Sequence, residues 1–295
     1  MLDVHRLRLL RELDRLGTLA AVARALNYSP SAISQQLSLL ETETGATLLE
    51  RVGRGVRLTA QARILVRHAE AILARMELAE AELAASMTKV TGTLRVASFQ
   101  SVLLALVPGA LSGLAAAHAG LRVEITQVEA GPAFAGLLAH EFDVVLGEDY
   151  PGLAQPRLPG VDEEDLIRDE MLCVVPASGP WSRPDLADLA DAPFVFDPAG
   201  IVPGDWARQL CRTAGFEPDV RFVSGDLLLQ IRLVETGHAV AFVPDLLWTG
   251  RDHSAVHLHP LPGRPRRRLY TGVRTGSADQ PAIRAFRKAL RDQLT

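Results

Sequence analysis

Leu7, Leu10 and Leu13 recur at the spacing of one helix face before Gly17, and this predicts a first helix over roughly residues 3–16. Thr18 then opens a second helical pattern, Leu19, Val22, Ala23 and Leu26, which Asn27 and Tyr28 turn. Ser29 is placed to cap a third helix with Pro30 at its first position, where a missing N–H loses nothing. In that helix Ile33, Leu37 and Leu40 face inward until Gly45 stops it. The outward stripe is Ser31, Ser34, Gln35 and Ser38, without the lysines and glutamates usual on a solvated face.

The next segment, LLERVGRGVRLT, sets Gly53 and Gly55 around Arg54 between apolar positions and predicts a tight hairpin with a cationic tip. From Thr59 to about Met87 no proline or glycine appears, so one long helix is expected. Leu65, Ala69, Ile72, Met76, Ala79 and Leu83 follow alternating steps of four and three along it, the spacing of a seam between two copies; packing on its own chain is the alternative. Beyond TKVTGT, a linker, strand and helix patterns alternate. Strands are expected at 94–98, 122–128, FDVVLG, EMLCVVP, FVFDP, VRFVS and HAVAFVP, and helices at 103–117, 134–139, 206–214 and 227–236, which makes an α/β domain.

At 295 residues and 48% hydrophobic composition the chain suits two or three modules with real cores. The uncharged run from Val96 to Ala117 is interrupted by Pro108, Gly109 and Gly113, so it reads as strand and helix rather than a membrane span. Charged residues from Asp3 to Arg15 occupy the place of an export signal's apolar core, so a cytoplasmic location is expected. There Cys173 and Cys211 read as buried thiols, with a redox pair as the alternative. The net charge of −4 is uneven: positions 1–67 hold ten arginines against six acids, a balance of +4, and the remainder carries −8. A polyanion is therefore expected to meet the front of the chain.

Two short helices, the second presenting small hydrogen-bonding groups, form a helix-turn-helix pattern. Ser and Gln let a helix lie close in a major groove and still offer donors and acceptors to base edges, while Arg51, Arg54 and Arg57 on a wing reach phosphates or a narrow minor groove. Ordinary solvated residues would share this composition. In the α/β part, ASFQS follows the first strand. Ser98, Gln100 and Ser101 there supply polar groups, and free backbone N–H groups would favour an anion; simple helix capping is the alternative reading.

His253, His257 and His259 invite a metal reading, but without a fourth ligand none is expected. The run from Arg264 to Arg268 reads as a solvated crossover. No G-x-S-x-G, G-x-x-x-x-G-K or H-E-x-x-H signature is present. No cofactor and no enzymatic role are expected. A solute-binding protein with an N-terminal extension and an enzyme are the competing classes.

The stretch from Gly17 to Thr59, GTLAAVARALNYSPSAISQQLSLLETETGATLLERVGRGVRLT, resembles the N-terminal signature of the LysR-type transcriptional regulators, and length and module order fit to the last residue. The resemblance implies a winged helix-turn-helix DNA-binding domain (1–58), a linker or dimerisation helix (59–89) and a two-lobed effector domain like type 2 periplasmic binding proteins (90–295). Lobe I would hold 92–162 and 267–295, and lobe II 163–266. Ser29, Pro30, Ser31, Ser34 and Gln35, joined by Ser38 of the same stripe and by Arg51 and Arg54, become DNA contacts. Gly200, Ile201 and Asp226 join Ser98, Gln100 and Ser101 at the effector cleft. Many members carry Gln-Pro where this chain has Pro30-Ser31 and Arg where it has Gln35, so operator preference does not carry over. Double-stranded DNA, a small-molecule effector, a homodimer or homotetramer and RNA polymerase are the implied partners.

Overall fold

The computed structural model describes residues 1–294 except 27, 54, 88, 154, 155, 183 and 184. Two compact units emerge. The first comprises Met1–Thr88 together with Leu138–Glu141 and Arg274–Pro281. Its helices α1 (Val4–Leu16), α2 (Leu19–Ala25) and α3 (Pro30–Thr44) precede a hairpin, β1 (Leu49–Val52) and β2 (Gly55–Leu58), and the long α4 (Ala60–Ala85). Each helix start carries the cap its sequence offers. Asp3, Thr18, Ser29 and Thr59 accept the backbone N–H of Arg6, Ala21, Ala32 and Ala62. Gly17, at φ 74°, closes α1 by donating its N–H to Leu13.

The core of this unit joins Leu7, Leu10 and Leu13 of α1 to Val22, Ile33, Leu37, Leu40 and Leu48, with Ala62, Val66 and Ala69 of α4 closing it. Burial of each large side chain contributes about 1.5–3 kcal/mol. Farther along α4, Glu77 binds Arg274 Nε at 2.8 Å and lies 3.3 Å from His140 Nδ1. His140 takes an unusual φ of 63° for a residue with a side chain, and its Nε2 is buried without a partner. Burial and the Arg274 charge together push the ring down to about 3.

The second unit comprises Lys89–Leu137, Phe142–Val273 and Ala282–Thr295. Strand β3 (Gly92–Ser98) lies between two parallel partners, β4 (Leu121–Gln127) and β5 (Val144–Asp149). The sheet continues through β11 (Arg266–Arg274) and β6 (Val161–Pro176) to β10 (Val256–Pro260), with β9 (Ala241–Pro244) also on β6. A parallel pair, β7 (Pro193–Phe196) and β8 (Asp219–Val223), lies apart. Helices α5 (Gln100–Ala105), α6 (Val107–Ala117), α7 (Ala130–Leu138), α8 (Val202–Thr213), α9 (Leu227–Glu235) and α10 (Pro281–Arg291) complete it. Separate cores define two lobes: one around Ala97, Phe134, Val145 and Tyr270, the other around Phe194, Trp206, Val240 and Phe242. Strands β6 and β11 run between them.

Three departures from the sequence reading stand out. The single helix expected over 103–117 breaks at Leu106, and a new helix begins at Val107 with Pro108 in its first turn. β6 starts nine positions earlier than EMLCVVP suggests, because its acidic first half forms ion pairs rather than core. Helix α10, which the pattern reading did not assign, buries Ile283, Phe286 and Leu290. No helix among the described residues is long and apolar enough to cross a membrane.

Candidate functional sites

On α3, Ile33, Leu37 and Leu40 are fully buried and the opposite face is open. Ser29, Pro30, Ser31, Ser34, Gln35 and Ser38 are all exposed. The Ser29 hydroxyl holds the helix cap and lies 3.0 Å from Ser31 Oγ. Ser34, Gln35 and Ser38 keep their side-chain donors and acceptors free. Fifteen residues make a rod of about 22 Å with no charged side chain before Glu41, dimensions that a major groove admits.

The hairpin β1–β2 pairs Val52 with Gly55, and Gly53 at φ 60° makes the turn a side chain would strain. Arg51 is exposed. Arg57 is tied to Glu50 at 3.0 Å, and Arg54 lies outside the described residues. Thr59 anchors the hairpin base through Leu48 and Thr47.

Of the seam positions on α4, Ile72, Met76, Ala79 and Leu83 are exposed. Leu65 and Ala69 correct the expectation. Ala69 is fully buried and Leu65 packs beside it against α1 of the same chain, because the first turns of α4 complete the small helical core.

A cavity of about 40 Å³ opens in the second unit where the ends of β3, β5 and β7 face α8 and α9. Phe99, Tyr150, Phe196, Trp206 and Phe242 supply much of its wall. The Tyr150 and Trp206 rings lie 5.3 Å apart, and Trp206 meets Phe242 edge-on at 6.2 Å. Polar groups come from Gln100, Ser101, Glu129, Glu148, Asp197, Gln230 and Arg267.

Arg267, on β11, is 2% exposed and has every nitrogen engaged. Nε and Nη2 donate to Asp169 Oδ2 at 2.9 and 2.7 Å, Nη1 to Glu148 at 2.8 Å, and Nη2 also to Ser101 Oγ at 2.8 Å. Burial nevertheless holds Glu148 above the usual carboxylate range, against the pull of Arg267. Asp197 is raised by burial as well, although Gln230 donates to it at 3.1 Å. Glu129 stands at the open mouth; loss of water on its inner side and the Asp197 carboxylate raise it too.

Of the effector residues named from sequence, Gln100 and Ser101 line the cavity. Gln100 spans the lobes: its amide nitrogen donates to Asp226 Oδ1 at 2.8 Å and its oxygen accepts from Leu227 N–H at 2.7 Å. Asp226 caps α9 and so serves as that clasp's other half. Ser98 is buried behind the wall, donating to the Phe99 carbonyl at 3.3 Å. Gly200 and Ile201 precede α8 outside the lining, and Gly200 N–H is held by Asp205 at 2.9 Å. Sequence reasoning missed Glu129, Glu148, Asp197 and Arg267. It also took Arg264–Arg268 for a solvated crossover. That is corrected by strand alternation, which turns Arg267 inward while Arg264 pairs with Glu170 and Arg268 with Asp149, Glu163 and Asp165. The start of α5 carries no side-chain cap, and the cavity walls hold three carboxyls and one neutralised cation.

Cys173 and Cys211 are buried in one cluster. Burial pushes Cys211 up to about 12 and Cys173 higher still, so neither is a ready thiolate. The His257 and His259 rings lie 6.1 Å apart on β10, and the described residues form no group able to hold a metal ion.

Residues 4–63 match the model of the bacterial regulatory helix-turn-helix protein, lysR family, and residues 88–295 match the LysR substrate binding domain. The HTH-type transcriptional regulator ClcR of Pseudomonas putida is 27% identical over 246 residues, 83% of each chain. Two solved structures share the fold. A full-length OxyR variant from Pseudomonas aeruginosa superposes with a TM-score of 0.67 at 19% identity, covering 99% of this chain and 95% of that one. Full-length CbnR in complex with its target DNA does so with a TM-score of 0.56 at 24% identity, covering 99% of this chain and 100% of that one.

Proposed function

This chain belongs to the LysR-type transcriptional regulators, and from that premise we propose that it reads duplex DNA with α3 and answers to a small molecule held between the lobes. The observation that carries the proposal is the α3 face: an exposed row of unpartnered Ser34, Gln35 and Ser38 on a helix whose other side is locked into a core. Ser29, Pro30 and Ser31 enter the groove first, and Arg51 and Arg54 of the wing meet phosphates or the minor groove. The modules are residues 1–58 for DNA, 59–89 for association of copies and 90–295 for the effector, with lobe I at 92–162 and 267–295 and lobe II at 163–266. The uncovered Ile72, Met76, Ala79 and Leu83 of α4 join two copies, and four copies follow the family pattern.

Ligand in the cleft shifts the lobes between two arrangements that it binds unequally, and so respaces paired recognition helices. The protein acts in the cytoplasm, with RNA polymerase as the downstream contact. Its role is binding rather than catalysis: the cleft's Arg267 is locked among carboxylates. Footprinting on DNA flanking its own gene, across a metabolite panel, tests this. A protected site whose extent changes with one metabolite is expected; identical footprints throughout refute effector control, and no protection at low salt refutes DNA reading.

A further inference from the structure

The walls of the cavity carry a narrower reading, which rests on the effector role proposed for it. We infer that the effector is a compact organic cation, an alkylammonium group seated between the Glu129 and Asp197 carboxylates and the Tyr150, Trp206 and Phe242 rings.

Charge makes the first part of the case. Three acids line the cavity, Glu129, Glu148 and Asp197, against Arg267 as the one cation among the described lining residues. Arg267 is saturated by Asp169, Glu148 and Ser101 and offers nothing to an incoming anion. Arg208, beside Phe196, turns its Nη1 onto the Asp197 and Gly204 carbonyls at 3.0 and 2.7 Å. One helix-end anchor for an anion, that of α9, is closed as well, while the starts of α5 and α8 carry no side-chain cap. At α9 the Asp226 carboxylate already occupies the positive end, and Leu227 N–H is held by Gln100. Acceptors, by contrast, are in surplus: the Glu129 carboxylate accepts no hydrogen bond from the described residues, and the Asp197 carboxylate takes one side-chain donor, from Gln230. Carboxyls drawn partly out of water and without an ion pair among the described residues are stabilised by whatever brings a cation to them.

Shape and surface make the second part. Aromatic faces attract ammonium and guanidinium groups, and this wall already does so from behind, with Arg267 lying 5.6 Å from the Phe99 ring centre and Arg208 5.9 Å from that of Phe196. A volume of about 40 Å³ admits a small head group and a short apolar stem.

The test uses the full chain and three probes of matched size, propylammonium, propionate and 1-propanol, followed by calorimetric titration and intrinsic tryptophan fluorescence. Propylammonium is expected to bind at millimolar concentration while the other two do not. Glu129→Gln and Asp197→Asn should each weaken it about tenfold, with unfolding temperature checked for both variants. The exposed Glu129 carboxylate has no partner among the described residues, so its variant keeps the fold intact. Preferential binding of propionate or 1-propanol overturns the cation assignment and leaves the effector role of the cleft standing. Binding of propylammonium that neither variant weakens overturns it too, as does no binding by any probe. The effector role is judged separately, by footprints that do or do not respond to metabolites.

Discussion

The outer face of α3 and the cleft of the second unit are opposite solutions to placing polar groups. On α3 the groups sit on one helix, within ten positions of one another, and Ser34, Gln35 and Ser38 are left to water. In the cleft they come from the ends of β3, β5 and β7, from β11, α9 and the approach to α7, and most are already bonded to each other. A surface that reads many sequences needs free donors and acceptors on a rigid rod, whereas a cavity that selects one small molecule needs its own charges fixed beforehand. The first is tolerant of single changes in stability and the second is not.

The largest test of that contrast is Arg267→Met. It strands Asp169 and Glu148 without their cation and should cost about 3–5 kcal/mol in denaturant unfolding, while Gln35→Ala should stay within about 0.5 kcal/mol. Similar costs for the two would erase the distinction.

Next comes pH, which sharpens it from the side of the first unit's interior. His140 binds its proton in the unfolded chain near 6.5 and in the folded chain only near 3. The unfolded state therefore holds more protons between those values, and stability falls as pH drops through that window and is flat above it. Lowering pH from 7 to 5 should remove about 2 kcal/mol, and His140→Asn, compatible with the positive φ, should flatten the slope.

On the reading face, Ser34→Ala or Gln35→Ala should shift base preference by about 1–3 kcal/mol at one position in competition binding. The smallest effect belongs to the wing. Arg51→Ala or Arg54→Ala should lower the salt slope of DNA affinity by about one unit with base preference unchanged. A wing variant that alters base preference more than the α3 variants do would reverse the roles assigned to helix and hairpin.

Legibility in the sequence follows the same divide. Caps and stops at Thr18, Ser29, Gly17 and Gly45 lie within a few residues of what they control, so the helix pair was readable, and the α3 stripe with it. The Ala69 error came from a position that satisfies two periodicities at once, the seam and the buried row of Ala62 and Val66. The core spacing of Ile283, Phe286 and Leu290 after Pro281 was visible as a helix signal, though the pattern reading left that segment without one. The acids of the cleft were not readable. Glu129 and Asp197 follow strands or precede helices like any surface carboxylate, and only the fold brings them to one cavity. Arg267 hid inside a basic run, where alternation along β11 sends it inward and its neighbours out.

Gln100 grips the far lobe with both ends of one amide, so the grip opens whole or not at all. Occupancy of the chamber then follows intrinsic attraction scaled by the fraction of time the grip is open. Under the proposed effector role, that would make a single glutamine the dose dial of the sensor, setting how much metabolite must accumulate before the promoter hears of it, without touching which metabolite is heard.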